Sequence, residues 1–332
     1  MQTKRQIQEL LSSAGVSPNR RLGQHFLVDL NLMRLLVESA QIGPYDVVLE
    51  VGTGTGSLTE ALAQQAGHVV TVELDRTLAG IAQLRLAGAE NVQVLNVDIL
   101  AGKGAIHPTV AEAVAQAHAR LCNIGPLDPI GPINPAQGRV LLVSNLPYDV
   151  ASSVMIDLVK GPVTVDAMLV TVQKEVAERM TAPPGGRDYG TLSIFLQATG
   201  EVELLRRLRP SVFWPPPGVD SAIIRYLRDP DKSGRILDMD VFGGVVGLFI
   251  GHRRKMLRAC LKQAPPELGG RACRGHPARD SRAGRPRHED GPDHWLTILE
   301  QHGIDPTRRP EELSPEQYVD MANSCYRLLS AR

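Results

Sequence analysis

An open, mainly parallel α/β sheet followed by a smaller helical domain is the architecture this 332-residue sequence predicts. Three observations carry that expectation. Apolar runs recur at Val47 to Val51, Val69 to Val72, Val92 to Leu95, Val140 to Val143 and Ala167 to Val172, alternating with helical stretches near Leu58 to Gln65, Leu78 to Leu86 and Ser152 to Val159. A glycine-rich turn, Gly52-x-Gly54-x-Gly56, follows the first run and precedes a helix. The third is Pro210 to Gly218 (PSVFWPPPG), where consecutive prolines can continue neither a helix nor a central strand, so a second domain begins there.

Taken in order, Gln2 to Ser12 suits a short amphipathic helix. Asp29 to Ala40 suits another, capped by Asp29, with Leu30, Met33, Leu36 and Val37 on one side. Between them lies the basic stretch from Arg20 and Arg21 to Leu27. The alternating core then runs on until Gly102 to Gly138, which reads as a surface insertion with an Ala-rich helical part, Val110 to Leu121, and a Gly/Pro-rich loop expected to be mobile. Beyond the prolines, Val241 to Cys260, Trp295 to His302 and Pro315 to Leu329 read as helices. Pro265 to Asp293 has little apolar periodicity and is expected to be poorly ordered. The expected bounds are an extension over 1–28, an α/β domain over 29–209 with its insertion at about 102–138, and a helical domain over 210–332.

Hydrophobic residues make up 43% of the chain, enough for two cores. No apolar run approaches the length of a membrane span and the N-terminus lacks a signal-peptide core, so the expected address is the cytoplasm, with no membrane partner. Four cysteines without a C-x-x-C pair indicate thiols in a reducing compartment. Cys260, Cys273 and His276 lack a second pair at ligand spacing, and no metal is expected. Formal net charge is zero, but its distribution is uneven: 11 Lys or Arg face two acids between Gly251 and Arg287. Arg206-Arg207-Leu208-Arg209 adds a second cluster. Such runs are either solvated faces or phosphate footprints. On the footprint reading, Arg253, Arg254, Lys255 and Arg258 form a basic helix face.

The glycine turn has a two-residue step to its last glycine where a dinucleotide fingerprint has three, so it suits a ligand without a pyrophosphate, such as S-adenosylmethionine. Glu50 precedes it. Glu73, at the end of the next strand, is placed to accept from ribose hydroxyls, and Asp98, at the end of the third, from an adenine amino group. Each acid alone reads more readily as a helix cap or an exposed strand end; their joint placement at successive strand ends favours the ligand reading.

Asn145-Leu146-Pro147-Tyr148 carries the most specific chemistry. Alone it is also an ordinary strand end and turn. Its place at the carboxyl end of the Arg139 to Ser144 strand, where open α/β sheets hold ligands, decides otherwise. An exocyclic adenine nitrogen is a poor nucleophile because its lone pair is delocalised into the ring. The Asn145 side-chain oxygen and the Leu146 carbonyl, aimed at its two N–H bonds, would localise that pair. Pro147 stiffens the turn, and Tyr148 offers a face for an extruded base.

With Gln24-His25-Phe26-Leu27, Tyr189-Gly190-x-Leu192-Ser193 and Phe213-Trp-Pro-Pro-Pro217-Gly-Val-Asp220-Ser221-Ala222 added to these motifs, the chain resembles the small-subunit ribosomal RNA adenine dimethyltransferases from about Arg20 onward. The resemblance implies a Rossmann-like S-adenosylmethionine-dependent methyltransferase domain with a small C-terminal helical domain. It also implies dimethylation of two adjacent adenines near the 3′ end of 16S-type RNA in a pre-30S-type particle, by a monomer. His25 and Leu27 would meet the cofactor's amino-acid end, Gly52 the turn beneath it, Glu73 the ribose and Asp98 the adenine. Asn145, Leu146 and Tyr148 would form the base site, with Phe26 and Phe195 packing nearby. His25 departs from a common Asn and Gly218 from a common basic residue. A large-subunit RNA adenine methyltransferase or a non-catalytic assembly factor are the alternatives; the triple-proline element speaks against the first and the intact acids and Asn-Leu-Pro-Tyr against the second.

Overall fold

The computed structural model describes residues 1–19, 23–102, 104–124, 138–268 and 293–331. They form two compact units, Met1–Thr181 with Glu201–Arg228, and Ala182–Gly200 with Asp229–Arg332.

The first unit begins with α1 (Lys4–Ser13), opened by a Thr3/Gln6 capping box. Strand β1 (Phe26–Leu27) follows, then α2 (Leu30–Ser39), whose N-cap Asp29 accepts from the Asn31 and Leu32 N–H groups as the sequence predicts. Next come β2 (Val47–Val51), α3 (Ser57–Ala63), β3 (His68–Val72), α4 (Arg76–Arg85), β4 (Val92–Leu95), α5 (Pro108–Ile124), β5 (Val140–Asn145), α6 (Ala151–Lys160), β6 (Ala167–Gln173) and α7 (Lys174–Thr181). After α8 (Thr191–Thr199), which belongs to the second unit, the chain re-enters the first as β7 (Gly200–Leu208), β8 (Phe213–Trp214) and β9 (Ser221–Arg228).

Seven strands lie in the order β4-β3-β2-β5-β6-β9-β7. The first five pair in parallel, and β9 joins β6 antiparallel. Val48, Val69, Leu141, Val143, Leu169 and Ile223 of the sheet pack in one buried cluster with Met33, Leu36 and Val37 of α2 and Leu58, Ala61 and Leu62 of α3. β2, flanked by strands on both sides, is buried along its whole length.

Two expected boundaries are corrected. The domain break does not fall at Pro210, because the chain beyond it pairs back into the sheet as β9. The stretch from Gly102 is not wholly a surface insertion: α5 packs against β2 and β3 and buries Val110, Ala113, Val114 and Ala117, so it is a crossover helix of the sheet. Its small Ala side chains permit close approach but give a weak apolar signal in sequence. The expected Gly/Pro-rich loop falls largely on 125–137, outside the described residues.

The second unit is helical: α8, α9 (Pro230–Gly234), α10 (Met239–Ile250), α11 (Leu257–Cys260), α12 (Asp293–Gln301) and α13 (Pro315–Ser330). Phe249 meets Trp295 and Tyr318 edge-on at its centre. Buried Tyr189 and Tyr318 donate their hydroxyls to the Leu313 and Pro310 carbonyls. Among the described residues, no helix is long and apolar enough to cross a membrane.

Candidate active site at the carboxyl edge of the sheet

Every residue expected to bind cofactor or base lines one cavity in the first unit: His25, Leu27, Gly52, Glu73, Asp98, Asn145, Leu146, Pro147 and Tyr148. Strand ends explain the convergence. β2, β3 and β5 are parallel and in register, so the residues that follow them emerge side by side.

Gly52, Gly54 and Gly56 all have positive φ, at 87°, 55° and 77°. That conformation favours glycine, and close approach adds a second demand at Gly54, where a Cβ would stand 2.9 Å from the Phe26 ring. The turn is tied to the next strand end: the Gly54 N–H donates to Glu73 Oε2 over 2.8 Å and the Asp75 N–H to Glu73 Oε1 over 2.9 Å. Each carboxylate oxygen keeps a lone pair for a further donor, so the backbone orients Glu73 without consuming it. Burial pushes its pKa up, against the Asp75 and Gly54 N–H groups that pull it down.

Glu50 has a role that sequence reasoning missed. It is 1% exposed, and its Oε2 accepts from Thr59 and Thr71, each at 2.6 Å. Burial pushes its pKa up to about 8, outweighing both hydrogen bonds. Glu50 therefore pins α3 and β3 to β2 beneath the turn. Asp98 stands three residues beyond the end of β4 rather than at it; it is exposed, and its Oδ1 accepts from the Leu100 N–H at 3.0 Å.

At the other end of the cavity the Asn145 Nδ2 donates to the His25 carbonyl over 2.8 Å. That bond sets which way the carboxamide faces and leaves Oδ1 as the acceptor. Leu146 is buried, and its N–H donates to the Thr171 carbonyl on β6, which holds the turn to the sheet. The Tyr148 ring stacks on the His25 ring with centroids 5.6 Å apart, and its hydroxyl bonds Ser221 at 2.8 Å. Burial holds the phenol above its usual pKa, so it stays neutral. The His25 Nδ1 donates to the Pro215 carbonyl at 2.7 Å, joining the Asn-Leu-Pro-Tyr turn to the triple-proline segment. The antiparallel pair of β1 and β8 sits beside this link, with Phe26 stacked on Trp214. No local signal shows that pairing, since each strand has two residues.

Helix α1 closes over the same cavity. Ile7 lines it, the Gln2 N–H donates to Ser57 Oγ at 2.7 Å, and Gln2 Oε1 accepts from Thr55 Oγ1 at 2.6 Å.

Residues 15–269 match the sequence model of the family described as ribosomal RNA adenine dimethylase. The chain belongs to that family. The ribosomal RNA small subunit methyltransferase A of Pelotomaculum thermopropionicum is 35% identical over 318 residues, which cover 96% of this chain and 95% of that protein. The protein of the same name from Bacillus cytotoxicus is 32% identical over 322 residues, covering 97% and 96%. A dimethyladenosine transferase from Plasmodium falciparum shares the fold with a TM-score of 0.63 at 21% identity, over 90% of this chain and 96% of that one. So does the 23S rRNA methyltransferase ErmE, with a TM-score of 0.53 at 22% identity over 91% and 99%. The fold is therefore that of the family, a Rossmann-like methyltransferase domain with a helical C-terminal region.

The residues present fit S-adenosylmethionine. The glycine cradle admits close approach of a ligand backbone, the oriented Glu73 carboxylate suits a diol, and Asp98 offers a second acceptor on the same cavity wall.

Two expectations fail in the second unit. Arg253, Arg254 and Arg258 do not share a helix face, because α10 ends at Ile250 and its last N–H bonds tighten to the i−3 carbonyls, from His252 to Phe249 and Arg253 to Ile250. Arg253 turns inward to Glu311 at 3.2 Å and donates to the Arg187 carbonyl at 2.8 Å. Arg254, Lys255 and Arg258 stay exposed. Phe195 is not part of the base site but of this unit's core, 3% exposed and edge-on to Phe242 at 5.1 Å. Arg20 and Arg21, Cys273 and His276, and most of 265–293 lie outside the described residues.

Proposed function

We propose that the protein transfers methyl groups from S-adenosylmethionine to N6 of two adjacent adenines near the 3′ end of 16S-type small-subunit ribosomal RNA, as a cytoplasmic monomer acting on a pre-30S-type particle. The observation that carries this reading is the Asn145 carboxamide, held by the His25 carbonyl with its oxygen left as an acceptor, in a member of an RNA adenine dimethylase family. The cofactor supplies an electrophilic methyl group on a sulfonium. Glu73 holds the ribose, Asp98 the adenine, Gly52 and its turn the body of the molecule, and His25 and Leu27 its amino-acid end.

The chain's own residues do the rest. Asn145 Oδ1 and the Leu146 carbonyl accept from the two N–H bonds of the target nitrogen and draw its lone pair out of conjugation. Preorganised acceptors of this kind act most strongly where water is excluded. Tyr148 holds the extruded base by stacking, and its bond to Ser221 fixes the ring. No side-chain base is needed, since the methylated nitrogen is acidic while cationic and loses its proton to water. In the second unit Arg254, Lys255 and Arg258 provide exposed charge for RNA phosphates, whereas Arg253 is held by Glu311.

Incubation of ribosomal subunits from an undermethylated strain with the protein and radiolabelled cofactor tests the reading. Label is expected in small-subunit RNA. Label in large-subunit RNA would support the large-subunit alternative, and cofactor binding without transfer to either would support a non-catalytic assembly factor.

A further inference from the structure

Strand β7 ends in Arg206-Arg207-Leu208, with Arg209 next after it, and its position in the sheet brings that cluster to the active-site edge. β7 is the outermost strand, beside β9. The Asp229 N–H donates to the Thr199 carbonyl over 2.9 Å, and Glu203 ion-pairs with Arg225, so β7 runs antiparallel to β9. Carrying that register along the pair places Arg207 opposite Ser221, the residue whose hydroxyl holds Tyr148. β9 in turn lies antiparallel to β6, with Ser221 opposite Gln173 at the carboxyl end of β6. The cluster therefore stands at the edge of the sheet that carries the cavity, one strand beyond the residue that fixes the base-stacking ring.

Leu208 is buried in the sheet's core cluster and Leu205 packs against it, which anchors the strand end. Arg206, Arg207 and Arg209 are all exposed, and among the described residues none of their guanidinium groups has an ion-pair or hydrogen-bond partner. Charged residues on an edge strand often serve to block strand addition. That need does not account for three arginines crowded at one end, since the earlier half of β7 carries Glu201 and Glu203 instead. Among the described residues no neighbouring acid is ion-paired to the cluster: Glu203 is taken by Arg225 and Glu178 by Lys174 at 3.7 Å, while Asp149 and Asp220 are exposed carboxylates that pair with none of the three arginines.

We propose that Arg206, Arg207 and Arg209 form a phosphate-binding rim beside Tyr148 that holds the backbone of the target RNA strand while its adenine is extruded. The proposal rests on the function proposed above and assigns to the first unit an RNA contact separate from the exposed charge of the second. Extruding a base has an unstacking cost, and arginine grips on the flanking phosphates offset it where it arises. Guanidinium groups suit this task because they bind phosphate through two donors at once.

The test compares wild type with the triple variants Arg206→Gln/Arg207→Gln/Arg209→Gln and Arg206→Lys/Arg207→Lys/Arg209→Lys. Each is titrated with a protein-free 3′-terminal fragment of small-subunit ribosomal RNA over a series of salt concentrations. The Gln variant should keep wild-type thermal stability and cofactor affinity, since the three guanidinium groups make no ion pair or hydrogen bond among the described residues. Its log affinity against log salt should have a slope shallower by about 2, as when two to three phosphates lose their partners. The KM for RNA should rise with little change in single-turnover rate at saturation, and the Lys variant should keep most of the slope. An unchanged slope in the Gln variant would overturn the rim. So would a loss seen with the assembled particle but not with protein-free RNA, which would make the partner a protein. If wild type methylates neither this RNA nor the assembled small-subunit particle, the proposed function falls with the rim; if wild type is active and only the variant comparison fails, the function stands and the rim does not.

Discussion

The side-chain amide of Asn145 donates to the main-chain carbonyl of His25 across 2.8 Å, joining residues 120 positions apart in the chain. One hydrogen bond thus occupies the carboxamide nitrogen and leaves its oxygen as the acceptor on the cavity side. Replacing Asn145 by Ala should leave cofactor affinity unchanged and lower the single-turnover methylation rate by roughly two to three orders of magnitude, the scale for loss of one preorganised transition-state contact. Near-normal turnover in that variant would remove Asn145 from the chemistry.

Tyr148→Phe and Tyr148→Ala should separate ring from hydroxyl. Stacking on a base is worth roughly 1–3 kcal/mol, so Ala should weaken RNA binding by a comparable amount. Phe keeps the face and loses only the Ser221 anchor, and should fall much less. Equal losses in RNA titrations of the two variants would mean that the hydroxyl, not the face, matters.

Glu73, proposed as the ribose ligand, should give cofactor binding a pH dependence. Its folded-state pKa is raised by burial, so its contribution to stability of the free protein is present below its unfolded pKa and is lost as pH rises through the folded one. In the proposed role cofactor binding should have the opposite sign, because ribose hydroxyls would donate to the carboxylate. Affinity measured by calorimetry should therefore weaken as pH falls through the raised pKa, and Glu73→Gln should bind more weakly with that dependence flattened. The same pH profile in wild type and variant would rule out Glu73 as the ribose ligand.

Glu50 makes a stability prediction of its own. Its pKa rises from 4.5 to about 8 on folding, so stability from this group is full below about 4.5 and is lost as pH climbs to about 8. Glu50→Gln keeps an oxygen acceptor for Thr59 and Thr71 and cannot ionise. Thermal melts should show the variant gaining on wild type between those pH values and holding a constant lead above them. Parallel pH curves would show that Glu50 is not the titrating group.

At Gly54 the left-handed backbone and the Phe26 ring act together. Gly54→Ala should cost on the order of 1–2 kcal/mol of stability from backbone conformation alone, and cofactor affinity should drop as the turn shifts from Glu73. Chemical denaturation and calorimetry on the same preparation check both. An unaltered midpoint would mean that the turn relaxes freely.

The parallel half of the sheet was legible because buried strands read as unbroken apolar runs, as in Val47 to Val51. β7 was not, since an edge strand carrying Glu201, Glu203, Arg206 and Arg207 has neither an apolar run nor a clean alternation. The β1 and β8 pair escaped for another reason: its partners are nearly 190 residues apart and two residues long, so only tertiary contact defines them. The cavity residues were readable because parallel strand ends gather whatever follows them. Where helix geometry was assumed without an end signal, as for Arg253 and Arg258 beyond Gly251, the expectation failed. Glu50 was visible as a motif residue, but its burial against Thr59 and Thr71 depends on how α3 packs on β3.

Nucleotide-resolution mapping of modified adenines in small-subunit particles from an undermethylated strain, before and after incubation with the protein and S-adenosylmethionine, tests the central claim most directly. The account predicts that N6,N6-dimethyladenosine appears at two adjacent adenines near the 3′ end of the RNA and at no other site. Modification of a different position, or none in a preparation that binds the cofactor, would contradict it.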